Sequence, residues 1–388
     1  MYLKKRLLVP VLILLTAAVL FSPLPAARKA AGRNTAYPAA TGELGIEAPN
    51  SAARCMAVMD AESGRLLFSR NADERRGMAS TTKIMTALVI LENLDPDSEH
   101  EIPECAVGVE GSSVYLRAGE RLTVRELLYC LMLESGNDAA AALACICAGS
   151  TEAFAEMMNG RAAEMGLADT HFANPHGLSD ENHYTTAREL ALITSEAMQY
   201  PLFCEIVGTV KARVRYDGVE GGRYLYNHNR LLTRFGGCTG VKTGFTRADG
   251  RCLVSAAERG GVKLIAVTLN DPFPAATHAA LLEYAFQKTE SVLVAEPGGI
   301  STVVAVDGSE TLFVAARNTS EVRICLPAGA AYSVEIEART VEAPVEKGEI
   351  IAHAAVMYGG SAVDIIPLEA AEPVKAKRRS IFEILFGE

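Results

Sequence analysis

The chain has no tryptophan, only 6% aromatic residues and seven histidines in 388 positions. The histidines (100, 171, 176, 183, 228, 278 and 353) show no zinc-type spacing such as a pair at i, i+4, so no metal or other cofactor is expected. Positive charge is not in excess. The balance is 37 Lys+Arg against 47 Asp+Glu, a net charge of −10, and a nucleic-acid partner is not expected because the global attraction for a polyanion is missing. Nine cysteines are an odd count and too sparse for a disulfide scaffold. Several of them (Cys130, Cys145, Cys147) fall in apolar helical segments and read as small core residues rather than disulfide partners. No glycine or proline period suggests a fibre, and no repeat of 20–50 residues suggests a solenoid or propeller. With 49% hydrophobic and 22% charged residues the chain is not wholly disordered, and its length suits two or three domains at about 100–200 residues each.

Both ends differ from the middle. Lys4, Lys5 and Arg6 precede an uncharged apolar run over 7–21, and Pro23, Pro25, Ala26 and Ala27 follow it. That layout predicts an export signal over 1–27; the rival is a retained membrane helix, which the two prolines shorten. Residues 28–50, rich in Ala, Gly, Pro and Thr without an apolar period, read as a linker. At the other end, Lys375, Lys377, Arg378 and Arg379 stand before Ile381, Phe382, Leu385 and Phe386. An amphipathic helix over 374–388 lying on an anionic membrane surface is expected, with a helix packed on its own domain as the rival.

Between the ends, 53–70 reads as a hairpin, and helical spacing marks 82–93, 124–134, 138–148, 151–165 and 186–199. Beta character is expected near 205–215, at 252–255 and at 263–268, and helix 276–288 follows. After Pro297-Gly298-Gly299 come short alternating runs at 302–306, 311–315, 321–326, 332–337, 350–356 and 362–367. The pattern predicts a larger mixed domain over 51–292 and a small beta sandwich over 297–372.

Three short motifs carry the chemistry: Ser80-Thr81-Thr82-Lys83 opening a helix, Ser135-Gly136-Asn137 between two helices, and Lys242-Thr243-Gly244 before a beta region. Singly each has a plain alternative: an N-cap for Ser80, a solvated helix face for Lys83, a surface turn for Lys242. Together they form an ordered triplet known from serine acyltransferases. Ser80 and Lys83, three apart, share a helix face, and a lysine of lowered pKa can accept the serine proton. Ser135 suits proton relay to a leaving amine and Asn137 suits holding a substrate amide. Lys242 and Thr243 suit a carboxylate, and Gly244 suits close approach of a substrate backbone. Residues 211–251 hold nine Lys and Arg against three acids, which favours an anionic ligand there.

The set resembles the penicillin-interacting serine acyltransferases, and in particular the low-molecular-mass penicillin-binding proteins that are D-alanyl-D-alanine carboxypeptidases. Similar stretches include Gly111-Ser112-Ser113, Glu134-Ser135-Gly136-Asn137-Asp138-Ala139-Ala140, Asn174-Pro175-His176-Gly177-Leu178 and His183-Tyr184-Thr185-Thr186-Ala187-Arg188. The resemblance implies an α+β fold: a beta-lactamase/transpeptidase-like domain with an antiparallel sheet and helices, then a beta-rich domain. It implies nucleophile Ser80, base Lys83, Ser135 in proton transfer, Asn137 in substrate holding, Lys242 and Thr243 at the terminal carboxylate, and backbone N–H groups of Ser80 and Phe245 as the oxyanion hole. His228 stands where relatives often have an arginine near that carboxylate, and Cys238-Thr239-Gly240-Val241 lacks the acidic residue common ahead of the glycine. The implied substrate is a peptidoglycan pentapeptide stem ending in D-Ala-D-Ala, met outside the cytoplasmic membrane, with beta-lactams as covalent inhibitors. The rivals are a beta-lactamase, whose Glu-x-x-Leu-Asn pattern is missing between 138 and 241, and a non-catalytic sensing module.

Overall fold

The structure is a computed structural model that describes residues 43–216 and 218–377. The expected export signal, residues 28–42 of the expected linker and residues 378–388 of the expected terminal helix lie outside the described residues. Two apolar runs form the hairpin of β1 (Cys55–Asp60) and β2 (Leu66–Arg70). A helical block follows: α1 (Lys83–Asn93), a ribbon of β3 (Glu99–Glu101) with β4 (Arg121–Thr123), then α2 (Val124–Leu133), α3 (Asn137–Ala148), α4 (Thr151–Glu164), α5 (Ala187–Ala197) and α6 (Pro201–Gly208). A second ribbon pairs β5 (Lys211–Val214) with β6 (Arg223–Tyr226), and the short α7 (Leu231–Arg234) leads into β7 (Cys238–Thr246), β8 (Gly250–Arg259) and β9 (Val262–Leu269), followed by α8 (Pro274–Lys288). The main sheet is antiparallel in the order β2-β1-β9-β8-β7, with β7 at an edge.

Local chemistry explains where the helices start. Thr123 and Glu126 form a reciprocal capping box on α2, and Ser150 and Thr186 each accept an N–H from the first turn of α4 and α5. Every residue of β1 is buried because the sheet is covered on both faces. Cys55, Ala57 and Met59 face the helical block, while Met56 and Val58 face a second core shared with α8.

Past α8 the chain is all beta: β10 (Thr289–Ala295), β11 (Ser301–Asp307), β12 (Phe313–Arg317), β13 (Val322–Pro327), β14 (Ser333–Ala338), β15 (Val341–Glu342), β16 (Ile350–Tyr358) and β17 (Ser361–Ala370). Six of them form one sheet in the order β14-β16-β17-β12-β11-β15, and β10 pairs with β13. Their inward residues join the second core, so a mixed domain followed by a beta-rich one is what the structure contains.

Five local expectations change. Residues 205–208 are helical rather than beta, because Pro201 in the first turn of α6 pre-sets the helical φ. Strand β10 leaves α8 directly where no strand was expected. Residues 43–50 belong to the folded body: Leu44 N–H donates to Leu66 O (2.9 Å) and its side chain is buried. Residues 374–377 do not begin a helix; they run extended, with Val374 exchanging two backbone hydrogen bonds with Val345 and Lys377 N–H donating to Gly308 O. Cys145, expected to be a lone core thiol, is disulfide-bonded to Cys105, because the 3₁₀ turn Glu104–Ala106 packs against α3. Cys130 is a buried free thiol and Cys147 a half-buried one.

The basic stretch 211–251 is also partly neutralised. Arg215 pairs with Glu99 and Glu126, and Arg223 pairs with Glu120 in the interior (3.1 Å). Removing one partner of a buried pair strands the other charge, so Glu120→Ala should lower the unfolding free energy by about 3–5 kcal/mol. Urea denaturation measures this, and a loss below about 1 kcal/mol would mean that water reaches Arg223.

Candidate active site

The three motifs come from separate elements and meet at the edge strand β7. Ser80 lies in the 3₁₀ turn Ala79–Thr82 that leads into α1, and it does not cap that helix: the N-cap is Thr82, and no side chain supplies a cap hydrogen bond. The turn is held from every side. Ala79, at φ 48°, donates its N–H to Asp249 Oδ2 (3.1 Å), and Thr81 Oγ1 donates to Met78 O (2.6 Å). Thr82 Oγ1 donates to Ala79 O (2.7 Å) and also meets His183 Nε2 (2.7 Å). His183 Nδ1 accepts Ala173 N–H (3.1 Å), which places the ring proton on Nε2, donating to Thr82. Burial lowers the His183 pKa to about 4, so the ring is neutral at pH 7.

Lys83 is fully buried at the start of α1. Its Nζ is 3.0 Å from Ser80 Oγ, 2.7 Å from Asn137 Oδ1 and 2.6 Å from the carbonyl oxygen of His176. Burial, and then the nearby charge of Lys242, push its pKa well below the usual lysine value; Asp138 opposes them. Asn137, expected to hold a substrate amide, has both ends engaged by the protein: Oδ1 on Lys83, and Nδ2 donating to Glu110 O (2.5 Å). Ser135 is buried in the turn before α3 at φ 62°. Two non-glycine residues in the left-handed region, Ala79 and Ser135, therefore flank the site.

Lys242 is buried on β7, and burial lowers its pKa to about 7. Its Nζ donates to Thr243 O (3.0 Å). His228 lies within electrostatic reach: burial first and the Lys242 charge next lower its pKa, while Glu134, 3.4 Å away, raises it. Glu134 also accepts Tyr226 N–H (2.6 Å), tying the end of α2 to β6. Gly244 approaches protein rather than leaving room only for substrate. A Cβ there would sit 3.1 Å from each of Met78 O, Ser80 N and Thr81 N. The next residue, Phe245, is 60% exposed.

Several supporting residues carried no role in the sequence. Asp138 is buried, and its carboxylate accepts from Ser113 Oγ (2.6 Å), Val114 N–H and Leu116 N–H, which folds the 110–116 loop over Asn137. The 174–178 loop supplies His176 O to Lys83. Asn174 Oδ1 shapes it by accepting Gly177 N–H (2.7 Å), and Thr86 Oγ1 on α1 donates to Pro175 O (2.6 Å). Gly177, at φ 89°, lies so close to the Ala79–Thr82 turn that a Cβ would fall 2.0 Å from Ala79 O. Both loops stand in the sequence only as similar stretches; contact with Lys83 and Asn137 is what gives them a task. Among the described residues, no three His, Cys, Asp or Glu side chains come together as a metal-binding group.

Residues 43–273 match the family model described as D-alanyl-D-alanine carboxypeptidase. The chain is 31% identical to D-alanyl-D-alanine carboxypeptidase DacF of Bacillus subtilis over 86% of its own length and 88% of the relative's. It is also 31% identical to D-alanyl-D-alanine carboxypeptidase DacC of Escherichia coli, over 86% and 87%. The crystal structure of penicillin binding protein 5 from Haemophilus influenzae superposes with a TM-score of 0.72 at 26% identity, covering 85% of this chain and 100% of that one.

A methyl at Gly244 would press on the backbone of Met78, Ser80 and Thr81. Gly244→Ala should therefore slow the protein's reaction with penicillin about 100-fold. A rate within threefold of wild type, read from stopped-flow kinetics, would show that the strand moves away at no cost.

Proposed function

We propose, on the premise that this chain belongs to the D-alanyl-D-alanine carboxypeptidase family, that Ser80 is its nucleophile and Lys83 its general base. The observation that carries this reading is the contact of Lys83 Nζ with Ser80 Oγ, 3.0 Å apart, on a fully buried amine. In its neutral form that amine has two N–H donors and one lone pair. Asn137 Oδ1 and His176 O are acceptors only and would take the two donors. The Ser80 hydroxyl would then donate to the lone pair, whereas an ammonium would itself donate to Ser80 Oγ. Burial and the Lys242 charge shift the amine toward the neutral form.

In the proposed reaction Ser80 Oγ attacks the carbonyl of the penultimate D-alanine as its proton passes to Lys83. Backbone N–H groups of Ser80 and Phe245 hold the oxyanion. The C–N bond then breaks, and the terminal D-alanine leaves as an amine protonated through Lys83 and Ser135. Water attacks the ester, its proton returns Ser80 Oγ to the hydroxyl, and the shortened peptide leaves as a carboxylate. Lys242 and Thr243 bind the terminal carboxylate of the substrate, and His228 lines the same end. Beta-lactams acylate Ser80 by the same attack. A peptidoglycan stem substrate places the enzyme outside the cytoplasmic membrane. There the basic and apolar residues 377–388 contact an anionic surface, and removing 378–388 should release the signal-cleaved protein from anionic vesicles. Unchanged sedimentation with vesicles would sink that assignment.

Purified protein should release D-alanine from a D-Ala-D-Ala pentapeptide and form a long-lived penicillin adduct, with both lost in Ser80→Ala. Rapid penicillin turnover would instead mean a beta-lactamase, and an adduct without peptide cleavage a sensor. The two lysines give kcat/KM a bell shape. Protonation of Lys83 disarms the base on the acid side, and Lys242 loses its charge as pH rises through about 7 on the other. In Lys242→Arg, whose guanidinium stays charged, the alkaline limb should move up by at least two pH units. A limb that stays in place assigns it to another group.

A further inference from the structure

The ribbon of β5 and β6 turns its two faces to opposite surroundings. Val214, Arg223 and Leu225 are buried on one face, and the ribbon packs on α2. The other face carries Lys211, Arg213, Tyr224 and Tyr226, all exposed, Tyr224 at 62% and Tyr226 at 58%. The register sets them as two cross-strand pairs, Lys211 opposite Tyr226 and Arg213 opposite Tyr224. At about 3.4 Å per residue the two rings stand roughly 7 Å apart along β6, with a cation across from each.

The neighbouring cations are paired inside the protein: Arg215 with Glu99 and Glu126, and Arg223 with Glu120 and over the Tyr216 ring. Lys211 and Arg213 differ. Among the described residues neither makes an ion pair, and neither Tyr224 nor Tyr226 stacks on another ring or a cation. In a chain of net charge −10 with only 6% aromatic residues, two unneutralised cations beside two exposed tyrosines are a local concentration of both features. Exposed tyrosines offer broad, amphipathic contact area at little cost in side-chain entropy. Their negative ring faces attract the polarised C–H side of a sugar, while Lys and Arg call for anions. The face therefore suits a polymer that combines sugar rings with anionic groups.

The ribbon ends at the site. Asn227 N–H donates to Val210 O (2.9 Å), and Tyr226 N–H donates to Glu134, the residue before Ser135. His228, two residues past Tyr226, lies within electrostatic reach of Lys242. In the reaction proposed above, Lys242 takes the carboxylate at the very end of the substrate. The ribbon stands on that side of the site, so a ligand on it is not the upstream part of the chain being cut. We propose that this face docks a neighbouring glycan strand of the wall, with sugar rings on Tyr224 and Tyr226 and stem carboxylates on Lys211 and Arg213. Such a strand is a polyanion, because every stem ends in a carboxylate both before and after cleavage. The proposal rests on the D-Ala-D-Ala reading above, which supplies the polymer and its direction.

The test uses the penicillin adduct, in which Ser80 is blocked and cleavage cannot contribute, and measures its co-sedimentation with insoluble peptidoglycan. The wild-type adduct should sediment, and less so as salt rises. Two double variants are compared with it: Tyr224→Ala with Tyr226→Ala, and Lys211→Ala with Arg213→Ala. Each should weaken binding about tenfold, and the second should also lose most of the salt dependence. Because all four positions are exposed, both variants should cleave a soluble D-Ala-D-Ala pentapeptide with kcat/KM within about twofold of wild type, while losing rate on the insoluble polymer. An adduct that stays in solution, or variants that sediment like wild type, overturns the docking face. So does binding to anionic vesicles without binding to peptidoglycan, which would make the ribbon a membrane contact. Equal losses on soluble peptide and polymer would mean that the four residues act through the active site, and this also overturns it. Failure of wild type to form the penicillin adduct overturns the Ser80 reading and the docking face together.

Discussion

The buried amine of Lys83 is the constraint around which the site is arranged. An ammonium there would lose most of its hydration, and the carbonyl of His176 and the side chain of Asn137 replace only part of it. Burial thus pushes this amine toward its neutral form, against the pull of Asp138. A second buried lysine, Lys242, adds repulsion that pushes Lys83 further the same way. The three oxygens around Nζ come from the Ala79–Thr82 turn, the start of α3 and the 174–178 loop, so this environment exists only once those segments have assembled.

That closure explains why so many supporting contacts converge on a four-residue turn. Asp249 holds the start of the turn, His183 holds Thr82, and Gly177 and Gly244 let two more backbone segments touch it from opposite sides. The left-handed Ala79 costs about 1–3 kcal/mol by itself and persists because its N–H and its carbonyl are both claimed. Rigidity at Ser80 comes from surrounding backbone and not from the intrinsic stability of the turn.

Charge tells a different story in sequence and in space. The basic excess at 211–251 points to an anionic ligand, yet Arg215 and Arg223 spend their charge on Glu99, Glu126 and Glu120, which lie about a hundred positions earlier. Among the described residues Lys242 has no such ion pair; burial shifts its pKa. Local counting overestimates the charge offered to a ligand because ion pairs form between elements. The same blindness hid the pairing of Cys145 with Cys105, forty residues apart.

Much was legible from residues alone. Apolar spacing located the main helices, apolar runs located β1, β2, β8 and β9, alternation located the later strands, and the order of the three motifs pointed to Ser80, Lys83 and Lys242. Short segments were misread where one residue overrode the pattern, as Pro201 did for α6. Residues such as Asp138, His176 and His183 showed no chemistry of their own in the linear text, because their work is to position groups 25 to about 100 residues away. Sequence by itself determined which side chains could act as nucleophile, base and anion holder, since that is a matter of functional groups and short-range spacing. Only the tertiary structure decided that Lys83 is buried with its pKa pushed down, that Asn137 hydrogen-bonds the lysine, and that Gly244 makes room for the turn that holds Ser80. Protonation, hydrogen-bond direction and close packing depend on burial by groups distant in the chain.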